Sequence, residues 1–105
     1  MIVLSLLVFA CTAITAAASA EPMRGVWVST VYNLDFPSRK SMSASELKAE
    51  IDNIVDDCAS MGFNAVFFQV RPCADALYPS AIYPWSAVLS GTQGVAPDGD
   101  FDPLS

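Results

Sequence analysis

The 105-residue chain reads as an α/β protein built on a strand–helix–strand unit with parallel strands. Three observations predict it. Residues 63–68, FNAVFF, form an apolar run of strand length, interrupted only by Asn64 and without polar alternation, the pattern of a strand buried on both faces. Residues 24–30, RGVWVST, repeat that character around Val26, Trp27 and Val28. Between them, Leu47, Ile51, Ile54, Val55, Cys58 and Met61 fall on one helical stripe. Two apolar strands joined through a helix lie parallel with a right-handed crossover.

The first strand leads into residues 31–44, where Asn33, Asp35, Pro37 and several serines break any period, so a loop is expected. Ser43-Ala44-Ser45-Glu46 is a capping box: the Ser43 hydroxyl can accept the Glu46 amide while the Glu46 carboxylate reaches back. It marks the start of the helix. Glu50, Asp52, Asn53, Asp56 and Asp57 lie off the apolar stripe and read as a solvated face rather than a metal site. Gly62 stands where a C′ glycine would end the helix. After the second strand come some 35 residues with five prolines and three glycines, far more than the usual two to six of a strand-to-helix connection. Leu77, Tyr78, Tyr83, Trp85 and Leu89 inside that segment predict a packed loop next to a site. Asp98, Asp100 and Asp102 alternate as at the start of a calcium loop. The turn glycine is replaced by Pro103, so an acidic turn with Asp102 as N-cap and Pro103 at the first helical position is the better reading.

Residues 1–20 read separately, as a secretory signal peptide. Residues 2–18 are apolar apart from Ser5, Thr12 and Thr15, and Ala18-Ser19-Ala20 is an A-x-A cleavage pattern. No Lys or Arg precedes the apolar run. A retained membrane helix fits less well, because the alanine-rich end is weakly hydrophobic and no basic stop-transfer residues follow. Lipidation at Cys11 fits poorly, since Phe9 is bulky and the apolar region before it would be short. The chain is therefore expected to be exported to the periplasm, envelope or medium, with membrane contact only through this segment. About 85 residues remain, enough for one small domain at most.

Net charge is −6, and no histidine occurs. An acidic surface disfavours nucleic acid and anionic lipid as partners. Without histidine, no Ser-His-Asp or Cys-His site can be assembled from this chain. Cys58 and Cys73 remain after the signal. They stand at opposite ends of the second strand, roughly 25 Å apart at about 3.3 Å per residue, whereas a disulfide needs Cα atoms within about 7 Å. Cys58 reads as a small core residue and Cys73 as a loop thiol. Trp27, inside the first strand, reads as core.

From Met23 onward the sequence resembles the glycosyl-hydrolase-like family 10 domain, a bacterial (β/α)8-barrel family. The resemblance rests on MRGVWVSTVYNLDFPS (23–38), GFNAVFFQVRPCADALYPS (62–80), YPWSAVLSGTQG (83–94) and FDPL (101–104). It implies a secreted or envelope hydrolase of glycosidic bonds, with bacterial cell-wall glycan as substrate class and no cofactor. A barrel of that kind takes about 250 residues, so the chain is expected to be the first βαβ portion of one, inactive and aggregation-prone alone. Glycoside hydrolysis takes two carboxyl groups, which the resemblance places on later strands. Asp35 and Asp75, the acids near the two strand ends, are not read as that pair, because two strands cannot close the pocket a general acid needs.

The remaining candidates, Asp75 among them, are for binding glycan. Arg71 could hold a sugar acid group in a bidentate fork, or pair with Asp75 to order the long loop. Gln69 could bind a sugar hydroxyl or be a satisfied core amide. Trp85 and Tyr78 could stack on a pyranose face, or anchor the loop. A competing function is a small secreted carbohydrate-binding module using Trp85, Tyr78 and Arg71 without chemistry; such a module would fold alone and bind glycan without cleaving it.

Overall fold

A computed structural model describes residues 20–105; the expected signal peptide at residues 1–20 lies, but for Ala20, outside them. Strand β1 (Gly25–Val28) and strand β2 (Ala65–Phe68) form a parallel two-stranded sheet. Gly25 pairs with Ala65, Val26 with Val66, Trp27 with Phe67 and Val28 with Phe68. Helix α1 (Ala44–Ser60) connects them, and a single helical turn α2 (Ala87–Ser90) lies in the long segment after β2. Among the described residues, no helix is long and apolar enough to cross a membrane.

Helix α1 begins as its sequence dictates. Ser43 Oγ accepts the Glu46 amide, and Glu46 Oε2 accepts the Ser43 amide at 2.8 Å. These bonds satisfy donors that an uncapped helix leaves open. Glu46 titrates below its ordinary value of 4.5, first because of the Ser43 backbone bond, then the Ser43 hydroxyl and the Arg39 charge. Gly62 follows the helix at φ +87°, a left-handed conformation that costs a residue with a Cβ about 1 kcal/mol or more. Leu47 and Cys58 are buried and Ile51 and Ile54 partly so, but Val55 and Met61, at the far end of the stripe, are exposed.

One face of the sheet carries the core. Val28, Val66 and Phe68 pack with Leu47, Phe36, Met42, Leu77, Leu89 and Phe101. The Phe36 ring meets Phe68 at 5.3 Å and Phe101 at 6.5 Å between centroids. The other face is bare: paired Trp27 and Phe67 are 60% and 46% exposed. Two expectations are thereby corrected. Among the described residues the strands are buried on one face rather than both and Trp27 lies outside the core, because adjacent strand residues point to opposite faces and α1 covers the Val28 side. Gly25 belongs to the bare face, where a Cβ would stand 2.5 Å from the Phe67 ring.

The segment after β1 is more structured than its composition suggested. It holds a 3-10 turn at Val31–Asn33 and delivers Phe36 and Met42 into the core. Glu50, expected among solvated acids, accepts the Ser38 amide at 2.7 Å and the Ser38 hydroxyl at 2.9 Å, fastening that segment to α1. The segment after β2 is packed, as expected. Leu77 and Leu89 are fully buried, and Ser86 caps α2 with its hydroxyl accepting the Val88 amide. Its far end returns to α1 through the Ala44 amide, which donates to the Asp98 carbonyl at 2.7 Å. Asp102 Oδ1 accepts the Leu104 amide at 2.9 Å, the bond an N-cap residue makes, followed by a turn.

Candidate functional site

Both strands discharge their chains on the same side, and the two following segments enclose a groove of about 360 Å³ there. Tyr32, Asn33 and Lys40 come from the segment after β1; Cys73 and Asp75 come from the segment after β2; the start of α2 adds Val88. The groove therefore sits at the carboxyl ends of parallel strands, where α/β proteins place their sites.

Its walls carry unusual backbone. Tyr32, Asn33 and Ala74 have φ of 53°, 54° and 55°. Asparagine tolerates this region, but a bulky residue such as tyrosine pays sterically for it. Asn33 compensates locally: its Nδ2 donates to the Pro37 carbonyl at 3.0 Å and the Val88 carbonyl at 2.8 Å. One amide thus ties the first loop to α2. Tyr32 makes no such bond and is 87% exposed.

Asp75 is the acid of the groove. It is 3% exposed, and Oδ1 accepts the Cys73 amide at 3.1 Å. Oδ2 has no partner among the described residues, and no fully enclosed side-chain oxygen or nitrogen lacks one. That second oxygen is therefore the part of the carboxylate that opens on the groove. Lys40 is the cation of the lining and makes no ion pair among the described residues.

The other candidates are placed apart from the groove. Arg71 does not pair with Asp75; its guanidinium lies 3.4 Å from the centre of the Tyr83 ring, a cation–π contact that pins two parts of the long loop. Gln69 closes the end of β1: Oε1 accepts the Thr30 amide at 2.8 Å, the Val31 amide at 3.0 Å and the Ser29 hydroxyl at 3.3 Å. Trp85 packs on the core and bridges to Ala76, and Tyr78 is half-buried in the same loop. Asp35 turns back to accept the Ser29 amide at 2.7 Å and does not line the groove. Cys58 is buried and Cys73 exposed, both as free thiols. Among the described residues, no cluster of three or more acids and cysteines could hold a metal.

Sequence reasoning missed Tyr32, Asn33 and Lys40. Their signal was weak, because a tyrosine in a polar loop announces neither its left-handed backbone nor its exposure.

A parallel α/β unit with a groove at its strand ends is the architecture of a carbohydrate-processing domain as well as of many others. The comparison with known proteins narrows it: residues 22–105 match the family glycosyl hydrolase-like 10, and the chain belongs to that family. It is 47% identical over 89 residues to glycosyl hydrolase YngK of Bacillus subtilis, covering 85% of this chain and 17% of that protein. It is 41% identical over 98 residues to glycosyl hydrolase DigH of Escherichia coli K12, covering 86% of this chain and 22% of that protein. A protein of the same name in Shigella flexneri matches equally. The chain thus spans about a fifth of the length of these curated relatives.

Proposed function

We propose that this chain forms the opening βαβ portion of a (β/α)8-barrel glycoside hydrolase that works outside the cytoplasm on bacterial cell-wall or related glycan. The groove at the carboxyl ends of β1 and β2 is the observation that carries this reading, since barrels of this class build their active sites there. Family membership supports it, as do two relatives named glycosyl hydrolase. The bare Trp27–Phe67 face supports the barrel, because inward side chains of such a sheet are covered only when further strands close it.

The chain's own part in catalysis is to form one wall of the cleft. Hydrolysis needs an acid and a base or nucleophile about 5–10 Å apart across the scissile bond. Asp35 is committed to Ser29 and stands outside the groove, so Asp75 has no partner acid there. Both catalytic carboxylates are assigned to later strands.

The test is to express the product of the whole locus, read through and past the Ser105 codon, and measure release of reducing ends from isolated cell-wall glycan. Cleavage by that product, and none by residues 21–105 alone, is the expected result. Glycan binding without cleavage would replace the hydrolase by a carbohydrate-binding protein. Fractionation of the source cells, with amino-terminal sequencing, checks export: a mature start at Glu21 is expected, and an uncleaved cytoplasmic form would overturn it.

A further inference from the structure

The exposed Tyr32 and the buried carboxylate of Asp75 line a single groove. Tyr32 adopts φ 53° and ψ 23° inside its 3-10 turn, yet its side chain is 87% exposed. A strained backbone that buys no packing is characteristic of a functional position. Asp75 is the reverse case: a carboxylate almost wholly buried, with one oxygen satisfied by the Cys73 amide and the other left open on the groove. The open oxygen accepts from none of the described residues, so it is free to take a donor that enters the groove. Lys40 lines the same groove, so its walls carry one residue of each charge sign.

We propose that this groove is a subsite for one uncharged sugar ring, with Tyr32 as the stacking platform and Asp75 Oδ2 as acceptor for a ring hydroxyl or amide N–H. This inference rests on the reading of the whole protein as one that acts on glycan. A sugar combines an apolar face of C–H groups with edge-on donors, the chemistry that an exposed aromatic face and an open carboxylate oxygen match together. The volume, about 360 Å³, lies at the low end of small-molecule sites, which run from about 300 to 1,000 Å³, and suits one ring rather than an extended chain. Of the two roles open to Trp85 and Tyr78, stacking or anchoring the loop, this leaves the stacking to Tyr32.

The experiment uses the whole gene product and soluble cell-wall glycan oligosaccharides as probe, measuring binding by calorimetry, KM and kcat from reducing-end release, and thermal melting. Tyr32→Ala and Asp75→Asn should each weaken binding and raise KM tenfold or more with kcat little changed. Tyr32→Phe should retain binding, since the ring and not the hydroxyl does the stacking. Tyr32→Gly separates a binding role from a structural one: it should raise the melting temperature, by relieving the left-handed strain, while weakening binding as the alanine does. Unchanged binding and KM in Tyr32→Ala and Asp75→Asn, with glycan still cleaved, would overturn the subsite and leave the hydrolase standing. Binding that depends on both residues, without any cleavage, would keep the subsite and overturn the hydrolase. A whole product that neither binds nor cleaves overturns both.

Discussion

Phe36 shows how much of this fold depends on single side chains in irregular backbone. It is fully buried, and its ring touches both Phe68 of the sheet and Phe101 at the end of the long loop. In the whole gene product, Phe36→Ala should destabilise the fold by about 3–5 kcal/mol, the range for losing a buried aromatic, read as a lower urea midpoint. Gly62→Ala should cost about 1 kcal/mol, although open space surrounds the position, because the penalty lies in the positive φ and not in a clash. Residues of this second kind were legible: Gly62 announced itself as a helix terminator, and Cys58 as core. Phe36 and Asn33 were not, since aperiodic segments give no indication of which side chain turns inward. The partner of Arg71 was not legible for a related reason. Proximity in sequence suggested Asp75, while the loop's path brings Tyr83 over the guanidinium.

Among the elements, α1 was the most legible because its start, stripe and stop agreed. The capping box can be checked directly. Ser43→Ala should cost about 1 kcal/mol, as N-cap losses do, measured by helical circular dichroism against denaturant. Glu46 gives the box a pH dependence of known sign. Its folded pKa is lowered, so its contribution is complete above the ordinary value of 4.5 and is lost as the pH falls through the lowered one. Stability should therefore decline in that acid window for the parent, and decline less for Glu46→Gln, which can still accept the Ser43 amide but carries no titrating carboxyl. Equal acid sensitivity in the two proteins would show that the box is not the source. The strands were legible in place but not in burial. An apolar run reads the same whether one face or two are covered, and only the tertiary arrangement shows that Trp27 and Phe67 lie bare. Turn α2 was passed over, although Ser86 and Gly91 frame it as N-cap and left-handed C-cap, because four residues carry no helical period.

At the level of the whole molecule, the bare face sets the behaviour of the chain by itself. Trp27, Phe67, Met61 and Val55 are exposed, and each strand has an unpaired edge among the described residues, a combination that promotes association. Residues 21–105 in isolation should aggregate or remain partly disordered; a monomer that melts cooperatively in sedimentation and calorimetry would overturn this. Trp27→Ser distinguishes the two contexts. It should improve solubility of the isolated segment, yet destabilise the whole gene product by about 3 kcal/mol or more if further strands bury that ring. No loss in the whole product would argue against a closed barrel.

Gln69 has a consequence for how such a chain could begin to fold. Two short parallel strands with few cross-strand partners are prone to slide, and a one-residue slip exchanges the faces of every side chain. The Gln69 carboxamide engages the Thr30 and Val31 amides in one alignment only, since a slip of about 3.3 Å would carry it past both. The pair of strands therefore bears its own alignment mark, written in a side chain rather than in neighbouring strands. A nascent chain emerging from the ribosome could fix this alignment before any later segment arrived, and the Thr30 and Val31 amides would be among the earliest protected from deuterium exchange.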